Sequence, residues 1–186
     1  MAEALADQIT RKIAEVAGLY HRLVIVAAPS GAGKTAALRE VAERAGYRRV
    51  NVNLKLSRRL LDLTQRQRSL QMARLLGDIA SETPGEVVLL DNVEILFDVN
   101  LNQDPLRCLQ SLSRNRTIVV AWNGTITSED PSHAFLTYAT PDHREFRRYP
   151  ASLPCHTDAI LCSIARARST FARMASTLAV QVNDRG

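Results

Sequence analysis

Several features are scarce in this chain of 186 residues, and each scarcity excludes something. No apolar run approaches the ~18 residues of a membrane span. The start, "MAEALADQIT", lacks the basic-then-apolar pattern of a secretory signal, so the expectation is a cytoplasmic protein with no membrane partner. The three cysteines, Cys108, Cys155 and Cys162, are odd in number and include no C-x-x-C pair, which indicates neither a disulfide framework nor a zinc site. His156 beside Cys155 is the one hint of a metal-ligand cluster, set against free thiols in a reducing compartment. Lysine is scarce too: of 24 Lys+Arg residues only Lys12, Lys34 and Lys55 are lysines. Internal repeats and low-complexity tracts are missing.

What is present is the composition of a soluble globular chain, 46% hydrophobic and 23% charged. At roughly 100 to 200 residues per domain, the length fits one domain with short additions. A formal net charge of +5 permits attraction to nucleic acid or another acidic partner. Arginine suits bidentate phosphate contacts, but a codon-biased genome produces the same excess.

Along the chain, Leu5, Ile9, Ile13 and Val16 form the apolar stripe of an amphipathic helix. "RLVIVAA", Arg22 to Ala28, is the continuous apolar run of a strand buried on both faces of a parallel sheet. "KTAALREVAERAG" predicts a helix with Leu38, Val41 and Ala45 on one face, Arg39 and Glu43 four apart, and Gly46 as its stop. Val50, Val52 and Leu54 alternate as in a second strand. After it, Ser57 caps a short helix, "RRLLDL", and Leu70, Leu75, Leu76 and Ile79 mark a longer one ending at "TPGE". "EVVLLD" is a third strand, Asp104-Pro105 starts a helix, and "RTIVVAWNG" is a fourth strand. "SEDPSH" reads as a loop and "AFLTYA" as a weak fifth strand. "DAILCSIARARSTFARMASTLAV" reads as a helix, with Ile160, Ile164, Ala167 and Phe171 along one side. The expected organisation is a domain over 1–150, including the N-terminal helix, and a helical tail over 151–186. Strands alternating with helices predict an α/β three-layer domain around a mostly parallel sheet.

Ala28, Pro29, Ser30, Gly31, Ala32, Gly33, Lys34 and Thr35 match the phosphate-loop pattern G-x-x-x-x-G-K-[ST], with Ala28 replacing the first glycine. A buried strand before it and a helix after it are the context that pattern requires. The glycines let successive N–H groups and the helix N-terminus face an anion. Lys34 would reach the β- and γ-phosphates of ATP, and the Thr35 hydroxyl would hold Mg²⁺. Asp91, at the end of "VVLLD", offers the second metal-holding carboxylate. An extra strand lies between the two motifs, an order that resembles the additional-strand (ASCE, AAA+-like) class of P-loop NTPases.

In that class a glutamate commonly follows the aspartate, whereas here Asn92 does, and an amide cannot take a proton from water. Glu94 is the nearest carboxylate and either substitutes for it or is a solvated surface acid. Asn123 ends the fourth strand where related ATPases carry a polar residue that feels the γ-phosphate. Arg114 and Arg116 lie just ahead of that strand, either as trans-acting arginine fingers or as the plainer pair closing a helix C-terminus. Arg48, Arg49, Lys55, Arg58, Arg59, Arg66 and Arg68 form one basic group. Arg144, Arg147 and Arg148, interleaved with Phe146 and Tyr149, form another suited to nonspecific DNA or other nucleic acid. No sequence-reading module is evident.

The combination of "APSGAGKT", "NVNLKLSRRLLDL", "VVLLDNVEILFD", "DPLRCLQSLSRNRTIVVAW" and "LTYATPDHREFRRY" resembles the BrxF family, small P-loop proteins of type 3 BREX (bacteriophage exclusion) systems. The likeness runs from about Leu23 to Tyr149. It implies a single-domain P-loop ATPase working within a multiprotein antiviral system; with the residues above, the expectation is an ATP-binding, Mg²⁺-dependent and slowly hydrolysing protein that forms homo-oligomers or docks on other antiviral-defence proteins. It also implies that Gly31, Gly33, Lys34, Thr35 and Asp91 carry the nucleotide site, with Asn92 as a family feature. Two readings of other classes stand beside it. One is a nonenzymatic nucleic-acid-binding adaptor whose nucleotide site is a switch; the other is a small phosphotransferase, for which no acceptor-site carboxylate is obvious.

Overall fold

Leu23–Ala28, the apolar run ahead of the glycine-rich loop, is strand β1, and all of its residues are buried. The computed structural model describes residues 4–130, 133–139, 146–150 and 160–161. Within them α1 is Leu5–Val16, α2 Lys34–Ala45, α3 Val52–Leu60, α4 Gln65–Glu82 and α5 Pro105–Leu112. The other strands are β2 Arg48–Asn51, β3 Val87–Asp91, β4 Thr117–Asn123, β5 Ile126–Asp130, β6 His133–Tyr138, β7 Arg147–Pro150 and β8 Ile160–Leu161.

The fold is α/β: β2, β3, β4 and β1 lie side by side in that order, all parallel, with helices on both faces. The two-residue β8 pairs in parallel with the outer side of β1. Period-two alternation sorts the strand residues between two cores. Val24, Val26, Leu89, Val119 and Ala121 meet Ile9, Ile13 and Val16 of α1 and Leu38 and Val41 of α2. Leu23, Ile25, Leu90, Val120 and Trp122 meet Leu56, Met72, Leu76, Ile79 and Leu109 of α3, α4 and α5. These strands are covered on both faces, which is why their sequences read as unbroken apolar runs.

β5, β6 and β7 form a separate antiparallel sheet. It is fastened to the end of β4: Thr137 N donates to Thr125 O (2.8 Å), Trp122 Nε1 to Thr137 O (2.7 Å) and Ala139 N to Asn123 O (2.9 Å). Phe97 stacks on Tyr138 at 3.5 Å between centroids and meets Trp122 edge-on at 4.7 Å, joining this sheet to the main core.

Several expectations from sequence are corrected. The second strand stops at Asn51, whose side chain accepts from Leu54 N at 2.9 Å and so caps α3. Val52 is therefore buried from a helix, at helical spacing with Leu56 and Leu60; Leu54 is 49% exposed, and Ser57 lies inside the helix instead of capping it. α4 is started by Thr64 in a capping box with Gln67, and it buries Met72 where Leu70 was expected. α2 buries Ala37 and leaves Ala45 exposed, and Glu40, not Glu43, makes its ion pair, with Arg44. Ser128–Asp130, read as loop, belong to β5, and β6 is antiparallel instead of continuing the main sheet. Ile160 and Leu161, read as helix, are β8; the rest of the expected tail helix, with Cys155, His156 and Cys162, lies outside the described residues. Gly46 ends α2 in the left-handed region (φ 70°) and Asp104 caps α5 (3.1 Å to Arg107 N), both as expected. Among the described residues no helix is long and apolar enough to cross a membrane.

Candidate functional site

Four parallel strands end at one edge of the sheet, and the register places Ala28 beside Asn123 and Asn51 beside Asp91. In open parallel sheets this carboxyl edge is where ligands bind. The chain leaves β1 into the glycine-rich loop, where Gly31 (φ 79°) and Gly33 (φ 84°) take backbone conformations that side chains rarely adopt. Gly33 is the N-cap of α2 and has no side-chain cap, and the first turn carries no acidic residue. The unspent N–H groups and the dipole therefore face outward toward an anion.

Lys34 folds back over this loop, donating to Ala28 O at 2.7 Å and Pro29 O at 2.8 Å. Burial pushes its ammonium below the ordinary value, while Glu94 and Asp91 act in the other direction. Thr35 Oγ1 donates to Asp91 Oδ1 at 3.1 Å, so the second residue of α2 meets the end of β3. Asp91 is nearly inaccessible. Its Oδ1 also accepts from Asn92 N (3.0 Å), and its Oδ2 from Arg49 Nη1 (2.8 Å).

Asn92 has φ 52°, a left-handed conformation that asparagine tolerates and glutamate disfavours. Its carbonyl accepts from Asn53 N at 2.8 Å, which fixes the turn. That turn feeds a short 3-10 helix, Glu94–Phe97, and brings Glu94 back to the cleft. Asn53 Nδ2 donates to Glu94 Oε2 (2.8 Å) and Asn123 Nδ2 to Glu94 Oε1 (2.5 Å), while Asn53 Oδ1 accepts from Ile95 N (2.8 Å). Glu94 is thus a clamped carboxylate at the strand ends and not a surface acid.

These groups surround a cleft of about 420 Å³ lined by Ser30, Gly31, Gly33, Lys34, Thr35, Asp91, Asn92, Glu94 and Asn123, with Arg39 at its side. Pro29, Ser30, Glu94 and Asn123 also border a neighbouring, more apolar cavity of about 380 Å³ that ends at Gly124, Tyr138 and Ala139. The donor set fits a hard cation with a polyphosphate: a hydroxyl, a buried carboxylate and a lysine beside a helix N-terminus with no side-chain cap. Among the described residues no cluster of His, Cys, Asp or Glu offers another metal site.

The two candidate arginine fingers lie at the other end of β4. Arg116 Nη1 donates to Ala80 O (2.6 Å) and Thr83 O (2.7 Å), closing the C-terminus of α4, and the exposed Arg114 lies 5.6 Å from the Tyr20 ring centroid. They cannot reach their own chain's phosphate loop, and any contact with a nucleotide would be in a neighbouring chain. The basic groups are also partly spent. Arg59 pairs with Glu82 and Arg68 donates to Leu60 O and Leu63 O. Arg148 lies over Phe135 (4.4 Å), and Tyr149 packs on Trp122 (5.5 Å), its hydroxyl pushed up to about 12 by burial, so it is not an open stacking platform. Arg144 lies outside the described residues.

Arg49 and Asn53 are the site residues that sequence reasoning missed in their role. Arg49 was visible only as one member of a basic group, and Asn53 carried no signal. No protein-family model matches the chain, and a search of curated proteins finds no significant relative.

Proposed function

We propose that the chain is a P-loop NTPase of the additional-strand class that binds ATP with Mg²⁺ and hydrolyses it slowly, acting within a bacterial antiphage (BREX) system together with copies of itself or other defence proteins. The observation that carries the nucleotide reading is the 3.1 Å contact from Thr35 to Asp91, made beside a capless helix N-terminus and a buried lysine. The position of β4 between β1 and β3 supports the class, because it sets the carboxylate strand one place away from the phosphate-loop strand. The defence role rests on the family resemblance of the motifs.

The loop N–H groups and Lys34 bind the phosphates, Lys34 exchanging its two carbonyl partners for phosphate oxygens. Thr35 and Asp91 would hold Mg²⁺, which neutralises phosphate charge when bound. Glu94, aimed by Asn53, takes a proton from the attacking water, replacing the glutamate that the left-handed position of Asn92 disfavours. Asn123 senses the γ-phosphate by giving up its bond to Glu94. Arg114 or Arg116 completes the site of a neighbour.

The deciding experiment is Mg·ATP hydrolysis per chain over a range of protein concentrations, with Lys34→Ala as control. Turnover that rises with concentration and vanishes in Lys34→Ala is expected. ATP affinity retained by Lys34→Ala would overturn the reading. The nucleic-acid adaptor alternative predicts DNA affinity that falls steeply with salt, and no DNA binding at low salt would remove it.

A further inference from the structure

The pleat of the sheet leaves one basic residue with a place in the site that phosphate binding does not explain. On β3, Leu89 and Asp91 share the face covered by α2, and the register sets Arg49 of β2 opposite Leu89. Arg49 therefore points to the same side as Asp91 and reaches it diagonally, two residues further along. The contact is 2.8 Å from Nη1 to Oδ2; the Asp91 side chain is 3% exposed and that of Arg49 35%. A carboxylate so buried needs a cationic partner. A metal ion held by Thr35 and Asp91 is a second claimant for the same negative charge, and the two positive groups repel across a buried site.

We propose that Arg49 is a tethered cation that competes with Mg²⁺ for Asp91, so that loading the metal requires the guanidinium to leave. The inference rests on the nucleotide-site reading above and adds a regulatory residue to it. Three observations favour departure over a permanent bridge. Among the described residues, Arg49 lies on the outermost strand of the sheet, which pairs there with β3 alone. A third of its side chain already faces water, so a solvated position is within reach. Thr35 and Asn92 both bond to Oδ1 and hold the carboxylate in place without it, leaving Arg49 alone on Oδ2 among the contacts of Asp91 described above. The chain thus exchanges an internal counter-ion for an external one, and metal occupancy becomes coupled to the freedom of β2.

The test is a Mg²⁺ titration of the full chain at fixed concentration of a fluorescent, nonhydrolysable ATP analogue, comparing wild type with Arg49→Gln and Arg49→Lys. Competition predicts that Arg49→Gln lowers the Mg²⁺ midpoint at least fivefold and Arg49→Lys, a shorter point charge, by a smaller factor. In thermal unfolding, Arg49→Gln has a lower Tm in chelator and a larger rise on adding Mg²⁺ and the analogue. A midpoint unchanged or raised in both variants would overturn the competition, because it would make Arg49 a permanent support of Asp91. If Arg49→Gln fails to fold in chelator, Arg49→Lys decides alone. Wild type that binds no analogue at any Mg²⁺ concentration would instead overturn the nucleotide reading beneath it.

Discussion

Asn53 and Glu94 stand 41 residues apart in the chain and are joined by a 2.8 Å hydrogen bond from the asparagine amide to the glutamate carboxylate. The same asparagine anchors Asn92 O through its backbone and Ile95 N through its carbonyl, so one residue sets both the turn after β3 and the aim of the carboxylate that the turn returns. Glu94→Gln keeps the size of the side chain and the bond from Asn53, removes the proposed base, and turns the oxygen that accepts from Asn123 into a donor. Turnover is expected to fall about 10² to 10⁴-fold, the usual worth of a general base, with affinity for the ATP analogue nearly unchanged. Asn53→Ala should lower turnover less, by loosening Glu94 without removing it. Full activity in Glu94→Gln would return Glu94 to the role of an ordinary acid.

If Lys34 holds phosphate as proposed, binding should be sensitive to alkali. Burial lowers its pKa from 10.5, with Glu94 and Asp91 opposing the shift. Between the folded value and 10.5 the unfolded chain binds more protons, so Lys34 detracts from the stability of the ligand-free fold below its folded pKa, and that penalty fades as pH rises toward 10.5. Binding has the opposite slope, because phosphate favours the charged amine. Affinity for the analogue should decline as pH rises, with the onset below 10.5 and a limiting loss of about tenfold per pH unit. A flat affinity profile through that range, measured by fluorescence titration, would contradict it.

Gly124 sits at the joint between β4 and the antiparallel sheet with no room for a side chain. A Cβ there would stand 1.8 Å from Thr137 O, which is backbone and held by Trp122 Nε1. Gly124→Ala should destabilise the chain by at least the ~1–3 kcal/mol of ordinary overpacking. At ~2–4 °C per kcal/mol for a chain of this size, Tm should drop by several degrees. Gly18→Ala, where nothing lies within 4 Å, is the control that should leave Tm almost unmoved.

Arg114 and Arg116 separate a structural role from an assembly role. Arg116→Ala leaves Ala80 O and Thr83 O without their charged donor and should cost about 1–3 kcal/mol in thermal unfolding. Arg114→Ala removes only an exposed ring contact and should leave stability nearly intact. If Arg114 serves a neighbouring site, that variant loses the rise of turnover with protein concentration while keeping analogue affinity. Turnover equal to wild type at every concentration would remove it from the site.

The elements that were legible in the sequence are those whose pattern has one reading. β1, β3 and β4 are unbroken apolar runs, and a strand buried on both faces leaves that signature. The step from β2 to α3 was not legible, because Val50, Val52 and Leu54 satisfy a period of two as well as Val52, Leu56 and Leu60 satisfy a helix. The Asn51 side chain decides between them with one hydrogen bond, and only the folded backbone shows it. In the site, the loop from Ala28 to Thr35 and Asp91 could be read because their chemistry is local to a motif. Glu94 could not be assigned, since its return depends on the left-handed turn at Asn92, and Arg49 and Asn53 depend on a register between strands that no spacing along the chain encodes.

β2 has a second consequence, outside the site. Among the described residues it closes one side of the main sheet with no strand beyond it, and an open strand edge invites pairing with another chain. The edge is only four residues long, and it opens with the exposed Arg48, a charge of the kind that blunts strand edges, while the Arg49 guanidinium turns inward to Asp91. An edge this short and charged is a poor template for edge-to-edge pairing, and replacing Arg48 by valine would be expected to make it a better one.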